Sequence, residues 1–182
     1  MNLKISRRYS TALFDAAVKA DKLDIIVNDV NSIIYLLISS RKLTLFFRSP
    51  VIKSEIKSKI VTELFKDRVD KLSCDFIFLL IQNKRESLIK SILEDFIALV
   101  KEKLGILDIS IKTAIELDDK EKQKIINVME NYTKKKIEPA FLVDKNIIGG
   151  FTAQIQDSIL DASIKTQLVN LGKKLKSSNL NI

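Results

Sequence analysis

Apolar residues recur at three- and four-residue spacing from the start of the chain. Tyr9, Ala12, Leu13, Ala16 and Ala17 form a narrow, alanine-rich stripe, the mark of an amphipathic helix, with Ser6 placed to cap its start. Small side chains let another helix approach closely, so this face suits tight helix–helix contact. A second helix follows Asp21, with Ile25, Ile26, Val30, Ile33, Ile34, Leu37 and Ile38 on a wide apolar face, as expected of a helix at the centre of a core. "KLTLFFRSP" is a short element halted by Pro50, whose ring and missing N–H oppose helix continuation. The spacing predicts further helices at about Ser54–Phe65, Asp70–Gln82 and Glu86–Lys103.

At Gly105 the period changes from helical to alternating. In "ILDISIKTAIEL", Leu107, Ile109, Ile111 and Thr113 share one face and Asp108, Ser110, Lys112 and Ala114 the other, which predicts a half-buried strand. "DDKEKQKIINVMENYTKK" reads as an amphipathic helix opened by Asp118 or Asp119, with acids at its start and lysines at its end. Two strands are expected near Ile137–Val143 and Gly150–Gln156, then a helix from about Asp161 with Ile164, Leu168, Leu171 and Leu175 at four, three and four spacing. The predicted architecture is an N-terminal all-α bundle of five to six helices over residues 1–104. A small C-terminal α+β domain of order β-α-β-β-α follows over residues 105–182.

Composition narrows the function. Hydrophobic residues at 46% and charged residues at 30% are the proportions of a soluble globular protein. The longest apolar runs, "IIYLLI" and "FIFLLI", fall far short of the roughly 20 residues that cross a bilayer. The N-terminus lacks the pattern of a secretory signal. The lone cysteine, Cys74, in an apolar helical setting, is expected to be a buried free thiol in a reducing compartment. The net charge of +8 is spread thinly: 19 basic residues against 13 acidic up to Leu104, and 12 against 10 beyond it. The densest run is Lys134–Lys136, and no basic stripe of the kind that tracks nucleic acid emerges.

Candidate chemistry is sparse. The chain has no histidine, which removes the commonest general base and metal ligand together with every Ser-His or Cys-His pair. No metal, cofactor or catalytic residue is expected. Asp157 and Asp161 could be paired carboxylates, but a hairpin end and a helix N-cap explain them better. Gly149 and Gly150, half of the chain's four glycines, precede a strand, whereas phosphate-cradling glycines precede a helix. Their use is therefore read as conformational, a bend that lets another backbone lie close and aims Phe151, Ala153 and Ile155 inward.

"IIGGFTAQIQDSILDASI" resembles the C-terminal signature of the delta-subunit family of bacterial ATP synthases, whose mitochondrial relative is the oligomycin-sensitivity-conferring protein. The match rests on Gly149, Gly150, Phe151, Ile155, Asp157, Asp161 and Ser163. "RRYSTALFDAAV" is similar to that family's first helix and "FIFLLIQNKRESLIKSILEDFIAL" to its fifth and sixth, so the likeness runs through nearly the whole chain in order. It implies a non-catalytic connector in the peripheral stalk, on the cytoplasmic face of the bacterial plasma membrane and reaching the membrane only through the complex. The helical domain would bind N-terminal helices of the alpha subunits, and the second domain the C-terminal ends of the b subunits. The alpha-subunit helix is expected in a groove lined by Tyr9, Ala12, Leu13 and Ala16 with Phe76, Leu79, Leu80 and Asn83, the alternative for each being a place in the bundle core. The competing function, from another class, is a basic two-domain RNA-binding protein, which steep weakening by salt would distinguish.

Overall fold

The computed structural model describes residues 2–66, 68–155 and 158–178. Six helices come first: α1 (Asn2–Lys19), α2 (Leu23–Ser39), α3 (Arg41–Arg48), α4 (Ser54–Phe65), α5 (Lys71–Gln82) and α6 (Ile89–Leu104), with a 3₁₀ turn at Glu86–Leu88 before α6. Then follow β1 (Ile106–Thr113), α7 (Asp119–Thr133), β2 (Lys136–Val143), β3 (Gly150–Ile155), β4 (Ser158–Ser163) and α8 (Ile164–Ser178). The architecture is thus a helical bundle plus a small α+β domain. The chain divides into two compact units, Met1–Lys101 and Glu102–Ile182.

The bundle is built on one apolar cluster to which every helix contributes, including Ile26, Phe65, Ile77, Leu80, Ile92 and Phe96, each at most 1% exposed. Ser6 does not cap α1, which begins four residues earlier; it is buried inside the helix. With Ser10, Leu13 and Ala17 it forms the packed face, one step around the helix from the Tyr9–Ala12–Ala16 stripe. On α2 the wide apolar face is only partly used: Ile26, Val30, Ile33 and Leu37 are buried while Ile25 and Ile38 are exposed.

Two polar networks staple the bundle. Asp29, almost wholly buried, accepts from Ser73 Oγ and from the Asp70 backbone N–H, both at 2.7 Å, so a carboxylate on α2 holds the start of α5. Asp70 caps α5 by accepting from the Leu72 N–H at 2.9 Å, and takes the Lys22 ammonium at 2.7 Å. These contacts satisfy helix-end donors that would otherwise lack partners. The second network centres on Lys57, whose three donors go to Phe47 O, Ser49 O and Glu86 Oε1 at 3.1, 2.7 and 2.7 Å.

In the second unit the strand order is β2-β1-β3-β4. β1 and β2 run parallel, with α7 as the crossover that parallel pairing requires, and the other two pairings are antiparallel. Asp118 opens α7 in a reciprocal capping box with Glu121. The expected lysines lie beyond α7, whose last turn has no basic residue; Lys134 is its left-handed cap at φ 57°. Ile109, Ile111, Met129 and Ala153 form the core between the sheet and α7. Pro139 sits in β2, an edge strand, where its lack of a donor does least harm.

β4 is one strand more than the sequence pattern indicated, and it occupies the stretch expected to begin the last helix. Pairing with β3 from Gly150↔Ser163 to Ile155↔Ser158 holds it as an edge strand. Its own pattern is weak, since Ile159 is 71% exposed while the smaller Ala162 is partly covered. Pairing rather than alternation decides its state.

Candidate docking surfaces

The eight residues expected to line a groove on α1 and α5 fall into two groups. Leu13, Phe76 and Leu80 belong to the buried cluster. Tyr9 and Ala16 are half-buried, and Ala12, Leu79 and Asn83 are exposed. Helical geometry explains the split. At about 100° per residue, Tyr9, Ala12 and Ala16 lie on a flank of α1 beside its buried face, and Leu79 lies on a flank of α5 beside the buried face that holds Phe76 and Leu80. Asn83 ends α5 and turns its side-chain amide back onto Leu79 O at 2.9 Å. Leu79, at 43% exposure, is the large apolar group this surface offers to a partner.

In the second unit the glycine doublet is the centre of a knot. Gly149 O accepts the Ile164 N–H at 2.9 Å, fixing the first residue of α8. Gly150 has φ +78°, and a Cβ there would collide with the Ala162 carbonyl, so only glycine lets β3 begin this close to the β4–α8 corner. Ser163, not Asp161, caps α8: its Oγ accepts from the Thr166 N–H at 3.3 Å. Asp161 supports the cap from β4, accepting from Ser163 N and from Thr166 Oγ1, each at 2.8 Å. Hydrogen bonds from Ser163 and Thr166 hold its carboxyl below the ordinary value of 3.8. Phe151 and Ile155 pack against the small core. Asp157 lies outside the described residues.

Apolar surface remains accessible near this knot. A cleft of about 440 Å³ beside the doublet is lined by Ile115, Leu117, Ile125, Ile148 and Phe151. Ile115 and Ile148 stand largely exposed, as do Leu168, Val169 and Leu171 of α8. The α8 residues were missed as candidates because their spacing in the sequence reads equally well as internal packing. Phe151 belongs to the covered face of the sheet, so it does not offer bases the exposed stacking surface that RNA-binding sheets use. The Cys74 thiol is half-buried and pushed up, chiefly by burial and then by Asp75, Asp29 and Asp70. Among the described residues no single helix is long and apolar enough to cross a membrane.

Comparison with known proteins follows the same lines. The family model described as ATP synthase delta (OSCP) subunit matches residues 5–175. The chain belongs to this family. It is 38% identical to the ATP synthase subunit delta of Chlorobaculum tepidum, over 93% of this chain and 94% of that one. To the subunit delta of Salinibacter ruber it is 35% identical, over 97% and 93%. A chain in the structure of the Toxoplasma gondii mitochondrial ATP synthase hexamer shares the fold, with a TM-score of 0.68 at 21% identity over 93% of this chain and 96% of that one. Members of the ATP synthase delta (OSCP) family are non-catalytic subunits, and this chain is accordingly a structural component of an ATP synthase.

Proposed function

We propose that this chain is the connector between the catalytic head and the peripheral stalk of a rotary ATP synthase, on the cytoplasmic face of a bacterial plasma membrane. The observation that carries the reading is the span of the family match, residues 5–175, which takes in both compact units. The bundle binds N-terminal helices of the alpha subunits along the accessible flanks of α1 and α5, and the second unit binds the C-terminal ends of the b subunits. Rotation of the central shaft drives synthesis only if the head cannot turn with it, so a connector must bear the reaction torque. Apolar side chains buried in a groove give about 25 cal/mol per Å², and gripping head and stalk at once raises the effective concentration at each contact.

The test is purification of the tagged chain from gently solubilised membranes. Recovery with alpha and b subunits, and loss of coupled ATP synthesis on its removal, are the expected results. Recovery alone, or with RNA, would refute the proposal.

A further inference from the structure

We infer that α8 is a hinged cover: in the chain free of partners it folds back along β4 onto an apolar strip beside α7, and the projecting helix seen here is the other of its two positions. This goes beyond the connector reading and does not depend on it.

The strip follows from how one helix covers four strands. Ile125 and Met129 of α7 point into the sheet core. Glu130, on one flank of α7, accepts from the Ile137 N–H at 3.4 Å, so that flank faces β2. At about 100° per residue, Val128 and Tyr132 lie on the opposite flank, toward β3 and β4, and they are 56% and 66% exposed. Beneath them the inward positions of β3 and β4, Phe151, Ile155, Leu160 and Ala162, are only half-buried. Two clefts mark the ends of this strip. The one beside the glycine doublet holds Ile125 and Phe151, and another of about 360 Å³ holds Tyr132, Ile155 and Leu160. Two strands at about 4.8 Å spacing leave a band about 10 Å wide, which is close to the diameter of one helix.

α8 supplies a matching surface. Every residue from Gln167 to Leu171 is exposed, so no side of the helix lies against the sheet there. Leu168, Val169 and Leu171, at 63%, 50% and 55%, span an arc of about 160°. That is the wide face of a helix that packs on a core. Asn170 stands on the opposite side. α8 follows β4 without a loop and leaves from its Ser163 end, so a helix returning from there would lie antiparallel to β4. From Leu168 to Ser178 it measures about 16 Å, against about 20 Å for the six residues of β4.

The hinge is the first turn of α8. A latch holds it in the projecting position: Thr166 Oγ1 donates to Asp161 Oδ2 at 2.8 Å, Gln167 Nε2 to Ala162 O at 3.1 Å, and the Thr166 N–H to Ser163 Oγ at 3.3 Å. The first two bonds are exposed, where water replaces them at little cost. Unwinding residues 164–167 turns that first turn into a connection of ordinary length between a strand and a helix. Closure then removes the apolar groups of both surfaces from water together. The projecting helix lacks such support, and a helix of 15 residues alone is marginal in water. Because both surfaces belong to one unit, they meet at the high effective concentration of a short tether.

The chain has no tryptophan, so a single one reports burial. Leu168→Trp places it on the face that closes, and Asn170→Trp on the face that does not. In the purified full chain, Leu168→Trp emission is expected to be blue-shifted and severalfold less quenched by acrylamide than Asn170→Trp emission, at every chain concentration. Val128→Asp with Tyr132→Asp is expected to erase that difference, and Leu171→Asp to do the same from the α8 side should circular dichroism show the double change to disturb folding. Thr166→Val with Gln167→Ala, which removes two latch bonds, is expected to weaken the quenching further. Equal quenching of the two reporters in the otherwise unaltered chain would show that α8 only projects. Shielding that grows with concentration would assign the cover to a second copy, and shielding untouched by the α7 and α8 changes would place α8 elsewhere. Each of these three results overturns the inference.

Discussion

Lys57 Nζ donates to Glu86 Oε1 at 2.7 Å, joining α4 to the turn before α6 from a lysine only 1% exposed. The same ammonium holds two carbonyls where α3 ends. Removing one member of such a pair strands a charge away from water. Glu86→Ala should therefore cost about 3 kcal/mol of bundle stability. Lys57→Met combined with Glu86→Leu should recover most of that loss. Urea unfolding of the single and double variants decides the matter, and equal losses would show that the charge pair is not the cause.

Gly149 and Gly150 should respond differently to alanine. At Gly150 the new methyl meets the Ala162 backbone at a φ that side chains disfavour, so the strand must shift, at a cost above about 1 kcal/mol. At Gly149 it meets only side-chain atoms of Ile164 and no backbone, and that side chain can turn aside. Thermal melts should rank Gly150→Ala below Gly149→Ala. The reverse order would contradict the close approach at the β4–α8 corner.

Acid should loosen both units. Lys22 first, and then the Leu72 N–H, hold the Asp70 carboxyl below its ordinary value of 3.8. Ser163 and Thr166 do the same for Asp161. A carboxyl depressed in the folded state contributes stability that is fully present above the unfolded value and lost as pH falls through the folded one. Stability should thus be flat, as far as these groups go, above about pH 5 and decline below about pH 4. Asp70→Asn and Asp161→Asn should each flatten that decline. An unchanged acid limb in both variants would refute the assignment.

Binding and stability should separate on α1 and α5. Leu80→Ala opens a cavity in the bundle core and should cost about 2–5 kcal/mol. Ala12→Trp and Leu79→Ser change accessible positions, so their melts should hardly move while affinity for an alpha-subunit N-terminal peptide falls about tenfold. Isothermal titration alongside melting reads both. Undiminished affinity in a folded Ala12→Trp variant would remove α1 from the groove.

Features carried by local chemistry were legible in the sequence. Asp118 and Glu121 announce the start of α7 because a capping box is complete within four residues. Pro50 and Gly105 mark breaks by backbone restriction or freedom alone. What escaped depends on distant partners. Periodicity puts Leu13 and Leu80 on apolar faces yet does not say whether the bundle or another protein covers them. β4 exists through pairing with β3, and the Lys57–Glu86 contact joins residues whose separation follows no helical or strand period. Ser163 and Asp161 both suit a cap, and the register of β4 chooses between them.

The position of β1 in the middle of its sheet has a consequence for synthesis on the ribosome. All six helices of the bundle are translated before the sheet begins, whereas β1 emerges before either neighbour, β2 or β3, has been translated. Until then Ile109 and Ile111 belong to a strand with two open edges. A polypeptide interrupted after Thr113 would thus carry a sticky ribbon behind a folded head, a substrate for chaperones and proteases rather than a half-length subunit.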